Sequence, residues 1–252
     1  MSTVRIVTRG DDAGSGVDAN RAVAECLAAG ILKNASLMAC GPAIEDAADR
    51  IRPIPDVDLG LHVCLNSEWS TLRWGPVAGA DRVPSLVESD GTFTRTPHLL
   101  NERGYSLDEA ILEVEAQWQR LQDLRLQVRY MDEHMGVGWI PGLRERLQVF
   151  AQLRGLNYLP NLQPLPDPPK GLPSDEQFIE RVRLASPGNY LYVNHPAYAT
   201  TATWDLIHEG LDPGQVARER DEDRRLWMDA RVKWMASSGE FQPIRYSEIG
   251  AA

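Results

Sequence analysis

The chain has 252 residues, 43% hydrophobic and 25% charged, the balance of a soluble globular protein with one large domain or two small ones. A formal net charge of -10 argues against nucleic acid or an anionic membrane as partner and favours a neutral or cationic small molecule. No apolar run is long enough to span a bilayer and the start does not read as a leader, so a cytoplasmic protein is expected.

The first β-prone run, residues 3–8, leads straight into Arg9-Gly10-Asp11-Asp12-Ala13-Gly14. Neighbouring residues of a regular strand point to opposite faces, so Asp11 and Asp12 meet in one site only if the chain turns there. Gly10 and Gly14 allow that turn. One Asp here would serve as a helix cap, but the second asks for another use. Gly14-Ser15-Gly16-Val17-Asp18-Ala19 also fits a dinucleotide fingerprint. Residues 36–41, however, offer no acid for the ribose, and two carboxylates would repel a pyrophosphate.

Val17, Ala22, Val23, Cys26 and Leu27 predict a helix over 17–29, closed by Gly30. A strand at 35–39, a helix at 43–51 stopped by Pro53 and Pro55, and a strand at 57–66 follow. Cys26, Cys40 and Cys64, odd in number and set among apolar residues, are expected to be free thiols. Residues 67–106 carry Gly, Pro, Trp and charge without a period, too long for a simple connection and therefore expected to be a functional βα loop. Its Trp69, Trp74 and Phe93 are candidates for stacking on a sugar ring or for sealing the loop onto the domain, and Trp139 joins Trp69 and Trp74 as a candidate substrate contact. Ser106 and Glu109 read as a capping box for a helix over 107–124.

A strand at 127–132 ends in Glu133-His134. A helix at 143–153, a strand at 156–159, a proline-rich loop at 160–173, a helix at 177–184 and a strand at 190–193 ending in Asn194-His195-Pro196 come next. A long last helix runs from Asp212 to about residue 237. Its segment 218–225 mixes both signs and reads as a solvated face with pairs such as Asp221 with Arg225, which leaves Trp227, Met228 and Trp234 for the core. A strand at 241–246 closes the chain. Nothing divides it, so residues 1–252 are read as one domain.

Strands alternating with helices predict a single-domain α/β fold, a TIM-like β/α barrel, regular or irregular, or a related open sheet, with strand carboxyl ends on one face. Of the five histidines, His62, His134 and His195 stand at strand ends as Asp11 and Asp12 do. His98 and His208 are assigned to the surface. A lone strand-end histidine is more often structural than functional. Three of them with an Asp pair supply the carboxylate and imidazole ligands of a catalytic divalent-metal site, which lowers the pKa of bound water.

The same residues resemble the YdjC-like carbohydrate deacetylases, which include chitooligosaccharide and hopanoid-biosynthesis-associated deacetylases. Asp11-Asp12-Ala13-Gly14, Gly60-Leu61-His62, Asp132-Glu133-His134 and His195-Pro196 match that family's motifs in order. Val83-Pro84-Ser85-Leu86, Asp90-Gly91-Thr92-Phe93 and the charged last helix extend the likeness over most of the chain. It implies that Asp12, His62 and His134 hold the metal, that Asp11 is the general base and that His195 protonates the leaving amine. Asp132 would orient His134 or another ring from outside the coordination sphere. One departure stands at Gly136, where the family often has a second histidine.

The leading expectation is therefore a metal-dependent hydrolase that removes the acetyl group from an N-acetylated sugar, with zinc, magnesium or manganese as its ion. The alternatives are a catalytically silent sugar-binding or regulatory protein of the same fold, kept open by Gly136, and a dinucleotide-binding oxidoreductase. A homodimer is compatible with the sequence.

Overall fold

The first strand, β1 (Val4–Ala13), is longer than the β-prone run that predicts it and carries the Asp pair within its own end. After it the chain alternates through α1 (Val17–Ala28), β2 (Asn34–Leu37), α2 (Ile44–Ile51) and β3 (Asp58–Val63). A long excursion then holds a 3-10 turn at Pro84–Leu86 and α3 (Pro97–Arg103), before α4 (Leu107–Asp123) and β4 (Val128–Glu133). The rest comprises α5 (Leu143–Leu153), β5 (Asn157–Tyr158), β6 (Gln163–Pro164), α6 (Ser174–Leu184), β7 (Gly188–Asn194), α7 (Thr201–Trp204), α8 (Gln215–Met228), α9 (Ala230–Ser238) and β8 (Gln242–Ile244). This computed structural model describes residues 3–158, 160–208 and 210–249; Leu159, the expected end of a strand, lies outside them.

The ladders joining these strands are parallel, in the order β5-β4-β3-β2-β1-β7-β6, with β8 added on β1. β1 is the hub. One edge pairs β8 through Arg5–Val7 and then β2 from Arg9 onward, while β7 runs along the other from Val4 to Gly10. The sheet curls into an incomplete barrel, with β5 and β6 as its two edges.

The larger apolar cluster, with Ile6, Leu37 and Leu61 among its members, packs the sheet against the helices. A small second cluster of Val7, Tyr130, Ile244 and Tyr246 fills the inner side. Gly60 sits opposite Tyr130 in the register, and a Cβ there would fall 2.2 Å from the tyrosine ring. Glycine at this position therefore lets Tyr130 stack on Tyr246, ring centroids 4.0 Å apart.

Two local expectations change. Ser106 caps α4 by accepting from the Glu109 amide, but the Glu109 carboxylate turns away to accept from the amide and hydroxyl of Ser85, at 2.8 and 2.7 Å. It pins the excursion to α4 instead of closing a capping box. The single last helix is two, broken at Asp229 (ψ 129°), whose side chain caps α9 through the Arg231 amide. The break takes Trp234 out of the core to 62% exposure, while Trp227 is fully buried and Met228 half-buried. The three cysteines are free, Cys26 and Cys64 buried and Cys40 partly so. Among the described residues, no helix is long and apolar enough to cross a membrane.

Candidate metal centre

Alternation along the strands gives the inner face Val7, Arg9 and Asp11 from β1, Gly60 and His62 from β3, and Tyr130 and Asp132 from β4. His62 and Asp132 are register partners, and His62 Nδ1 donates to Asp132 Oδ1 at 2.7 Å. The ring's Nε2 is thereby turned towards Asp12 and His134, and in the neutral ring it would be an acceptor. Asp12 ought to face away from Asp11. Its φ of 65° turns it back, a left-handed conformation that Asp tolerates better than most residues. The ladder between β1 and β2 shifts at the same place, and the Ser15 amide and hydroxyl bind the Asp12 carbonyl at 3.1 and 2.7 Å. The expected turn is thus made by Asp12 and Gly14 (φ 104°), not by Gly10.

His134 opens the turn after β4, and its Nε2 donates to Glu68 Oε2 at 2.9 Å. Asp12 Oδ1, His62 Nε2 and His134 Nδ1 consequently face one point. They lie 3.4 Å (Asp12 to His62), 3.3 Å (Asp12 to His134) and 3.2 Å (His62 to His134) apart. Donors bound tetrahedrally to zinc at its usual bond lengths are separated by about 3.4 Å. Asp12 Oδ1 is buried without a hydrogen bond, whereas Oδ2 accepts from Arg220 Nη2 at 2.6 Å. A buried orphan oxygen beside two imidazole nitrogens makes a group that could hold a cation once the rings are neutral.

The charges agree. Arg9 grips Asp11 through Nε and Nη2 at 2.7 and 2.8 Å, and its Nη1 reaches Asp132 at 2.8 Å and the Tyr246 hydroxyl at 3.0 Å. Its guanidinium thus fills the second carboxylate and imidazole cluster, Asp11, His62 and Asp132. Burial works against ionisation of Asp11, but Arg9, His62 and His195 outweigh it and hold the carboxyl below its ordinary range. For Asp12 burial is likewise overcome, by Arg220 and the two imidazoles, and the carboxyl sits well below the usual value. Burial disfavours a charged His62, yet Asp132, Asp11 and Asp12 push it up to about 10; Glu68 and Asp12 raise His134 in the same way. Four buried carboxylates, Asp11, Asp12, Glu68 and Asp132, face two guanidiniums, Arg9 and Arg220, a formal excess of two negative charges. Two protons on the rings or one divalent ion would balance it.

His195 is half-buried and lines the same cavity of about 220 Å³, its amide donating to Asp223 Oδ2 at 2.8 Å. The aromatic expectations fare differently. Trp69 is buried at the cavity edge, with the Arg220 guanidinium and the His208 ring each 5.5 Å from its ring centroid. Trp74 is buried and donates to the Asn66 carbonyl at 2.8 Å, and Phe93 is fully buried, so both seal the excursion. Trp139 is 42% exposed, stacks near His98 and does not line the cavity. Gly136 (φ 62°) and Met135 (φ 50°) turn the chain away after His134, and a side chain at 136 would meet no atom within 4 Å. A larger groove of about 630 Å³ between α6 and α9 brings no such donor set together.

Sequence reasoning missed Arg9, Glu68, His208 and Arg220. His208, assigned to the surface, lines the cavity. Arg220, assigned to a solvated face, is buried, although the expected pair of Asp221 with Arg225 is present. The signal was available: Arg220 stands seven residues before Trp227 and three after Ala217, on the buried stripe of α8.

A family model described as YdjC-like protein matches residues 5–237. The chain is 25% identical over 188 residues to a carbohydrate deacetylase of Thermoanaerobacter pseudethanolicus, covering 74% of this chain and 68% of that one. It is 29% identical over 154 residues to a carbohydrate deacetylase of Danio rerio (60% of this chain, 46% of that one). With a chitooligosaccharide deacetylase of Serratia marcescens it shares 29% identity over 153 residues (60% and 57%). Against these last two the match spans about half the relative's length. In structure the chain is similar to a protein of Enterococcus faecalis V583, described there as a proposed cellobiose-phosphate cleavage protein. The TM-score is 0.79 at 18% identity, over 98% of both chains. A mutant pseudoenzyme of the CE4 family shares the fold with a TM-score of 0.53 at 11% identity, over 98% of this chain and 67% of that one.

Proposed function

The chain belongs to the YdjC-like protein family, and we propose that it hydrolyses the amide of an N-acetylated sugar, releasing acetate. The observation that carries this reading is the convergence of Asp12 Oδ1, His62 Nε2 and His134 Nδ1 beside an ionised Asp11. The names of the relatives support the substrate class. One carboxylate oxygen and two imidazole nitrogens suit zinc, with magnesium and manganese as competitors. Bound by them, a divalent ion would lower the pKa of water and polarise a carbonyl oxygen.

Asp11 is assigned as the general base. Arg9 occupies one lone pair on each carboxylate oxygen and keeps the group ionised, leaving further lone pairs to take a proton from the attacking water. His195 is assigned to protonate the amine nitrogen as the C–N bond breaks. The hydroxyl goes to the acetyl carbon, so acetate and a free amine leave.

The test is acetate release from a panel of N-acetylated mono- and oligosaccharides, with protein stripped of metal and then reloaded with zinc, magnesium or manganese. Release should require the ion. Asp12→Ala should lose both ion and activity, while Asp11→Asn should keep the ion and lose about 10²–10⁴ in turnover, the usual contribution of a positioned base. Stoichiometric ion binding with no release from any sugar would favour a silent sugar-binding protein instead.

A further inference from the structure

We propose that Glu68 is the positioning residue of His134, so that the excursion after β3, as well as the strand ends, sets the affinity of the site for its ion. The inference rests on the reading of Asp12, His62 and His134 as ligands.

An imidazole has two nitrogens, and only one of them can face the point shared with Asp12 Oδ1. For His62 the choice is made within the sheet, because its register partner Asp132 binds Nδ1. His134 has no strand neighbour in that position. It opens a turn in which the next two residues both have positive φ, and the group that holds its far nitrogen comes from another part of the chain. That group is Glu68, 7% exposed, whose Oε2 accepts from His134 Nε2 at 2.9 Å. Its negative charge also strengthens the ring as a donor, which a neutral acceptor would do less well.

Glu68 is presented by a backbone already held on both sides. The Ser67 amide donates to the Thr94 carbonyl at 2.8 Å, the Trp74 amide to Ser67 Oγ at 3.0 Å, and the Trp74 indole to the Asn66 carbonyl at 2.8 Å. Asn66 Nδ2 donates to Met135 Sδ at 2.9 Å, tying the same segment to the residue after His134. Asn66 Nδ2 also reaches Glu68 Oε2, at 3.4 Å, but the other contacts do not involve the Glu68 side chain, so its removal should leave the loop start in place and act chiefly by releasing the ring.

The experiment is calorimetric titration of zinc into wild type, Glu68→Ala, Glu68→Gln and Asp12→Ala, with the visible absorption of the cobalt-loaded proteins as a second readout. Asp12→Ala should bind no zinc at the site. Glu68→Ala should bind about 10–100-fold more weakly, the usual cost of losing a partner behind a metal-bound histidine, with an altered cobalt band. Glu68→Gln keeps an acceptor oxygen without the charge and should fall between wild type and Ala. Zinc binding by Glu68→Ala as tight as wild type, with Asp12→Ala inactive in binding, would overturn the role of Glu68 and leave the ligand set standing. Tight binding by Asp12→Ala would overturn the ligand set itself. Should Glu68→Ala fail to fold, Glu68→Gln decides: affinity equal to wild type overturns the proposal.

Discussion

Asp12 and Glu113 are both carboxylates with almost no contact with solvent, and they are held in opposite ways. Asp12 has a guanidinium on one oxygen, while the other faces the two imidazoles without a hydrogen bond, and its carboxyl lies well below the usual range. Glu113, on α4, accepts from the amides of Val77 and Ala78 and from the Gln117 side chain, at 3.0, 2.8 and 2.8 Å. No cation is among those partners, and burial pushes its carboxyl up to about 7. A buried acid that serves as a staple can be satisfied by neutral donors and tolerate a proton. One proposed to present a lone pair to an ion needs a permanent charge behind it to stay ionised.

The harshest way to break this contrast is to remove the charge behind Asp12. Arg220→Met should lower stability by about 3–5 kcal/mol, the cost of stranding one partner of a buried ion pair, in urea unfolding with chelator present. Arg220→Lys should lose less, since it keeps the charge and sacrifices the planar fork. A loss no larger than that of a surface substitution would mean that Asp12 does not depend on Arg220, and the contrast would collapse.

Glu113 offers a pH test. Its folded pKa lies above the unfolded value of about 4.3, so the folded state binds this proton more tightly. Its contribution to stability is therefore fully present below the unfolded pKa and is lost as pH rises through about 7. The swing is at most about 4 kcal/mol. Glu113→Gln should be less stable than wild type at pH 5, because one amide loses its acceptor, and the gap should narrow by pH 8.5. Urea unfolding across that range measures the difference between the two proteins. A gap independent of pH would show that Glu113 is ionised throughout, like Asp12.

The same contrast explains what could be read from the chain. Asp11, His62 and Asp132 were legible because period-two alternation and the alternation of strands with helices put them at one end of one sheet. Asp12 was legible as a group but not in its geometry, since its inward turn depends on a left-handed φ that Asp only sometimes adopts. Arg9 follows from the same alternation, two residues before Asp11, and was a missed inference. Glu68 was not readable, because an aperiodic loop gives no face on which to place it. Arg220 was hidden by its neighbours: in 218–225 the surrounding charges look solvated, and only the spacing to Trp227 marks it as buried. His208 is reached only through tertiary packing against Trp69.

Glu109 supplies the mildest test. Its carboxylate is half-buried and holds Ser85 by two hydrogen bonds, with no cation bonded to it and no oxygen reserved for a ligand. Glu109→Ala should cost about 1 kcal/mol in urea unfolding, the net worth of hydrogen bonds that water can partly replace. Zinc affinity should stay at the wild-type value, because Glu109 touches none of Asp12, His62, His134 or Glu68. If Glu109→Ala instead weakened zinc binding as Glu68→Ala is expected to, the whole excursion would be coupled to the proposed metal centre as one body. The distinction between a staple and a ligand support would then lie in the loop's rigidity and not in the charge behind each carboxylate.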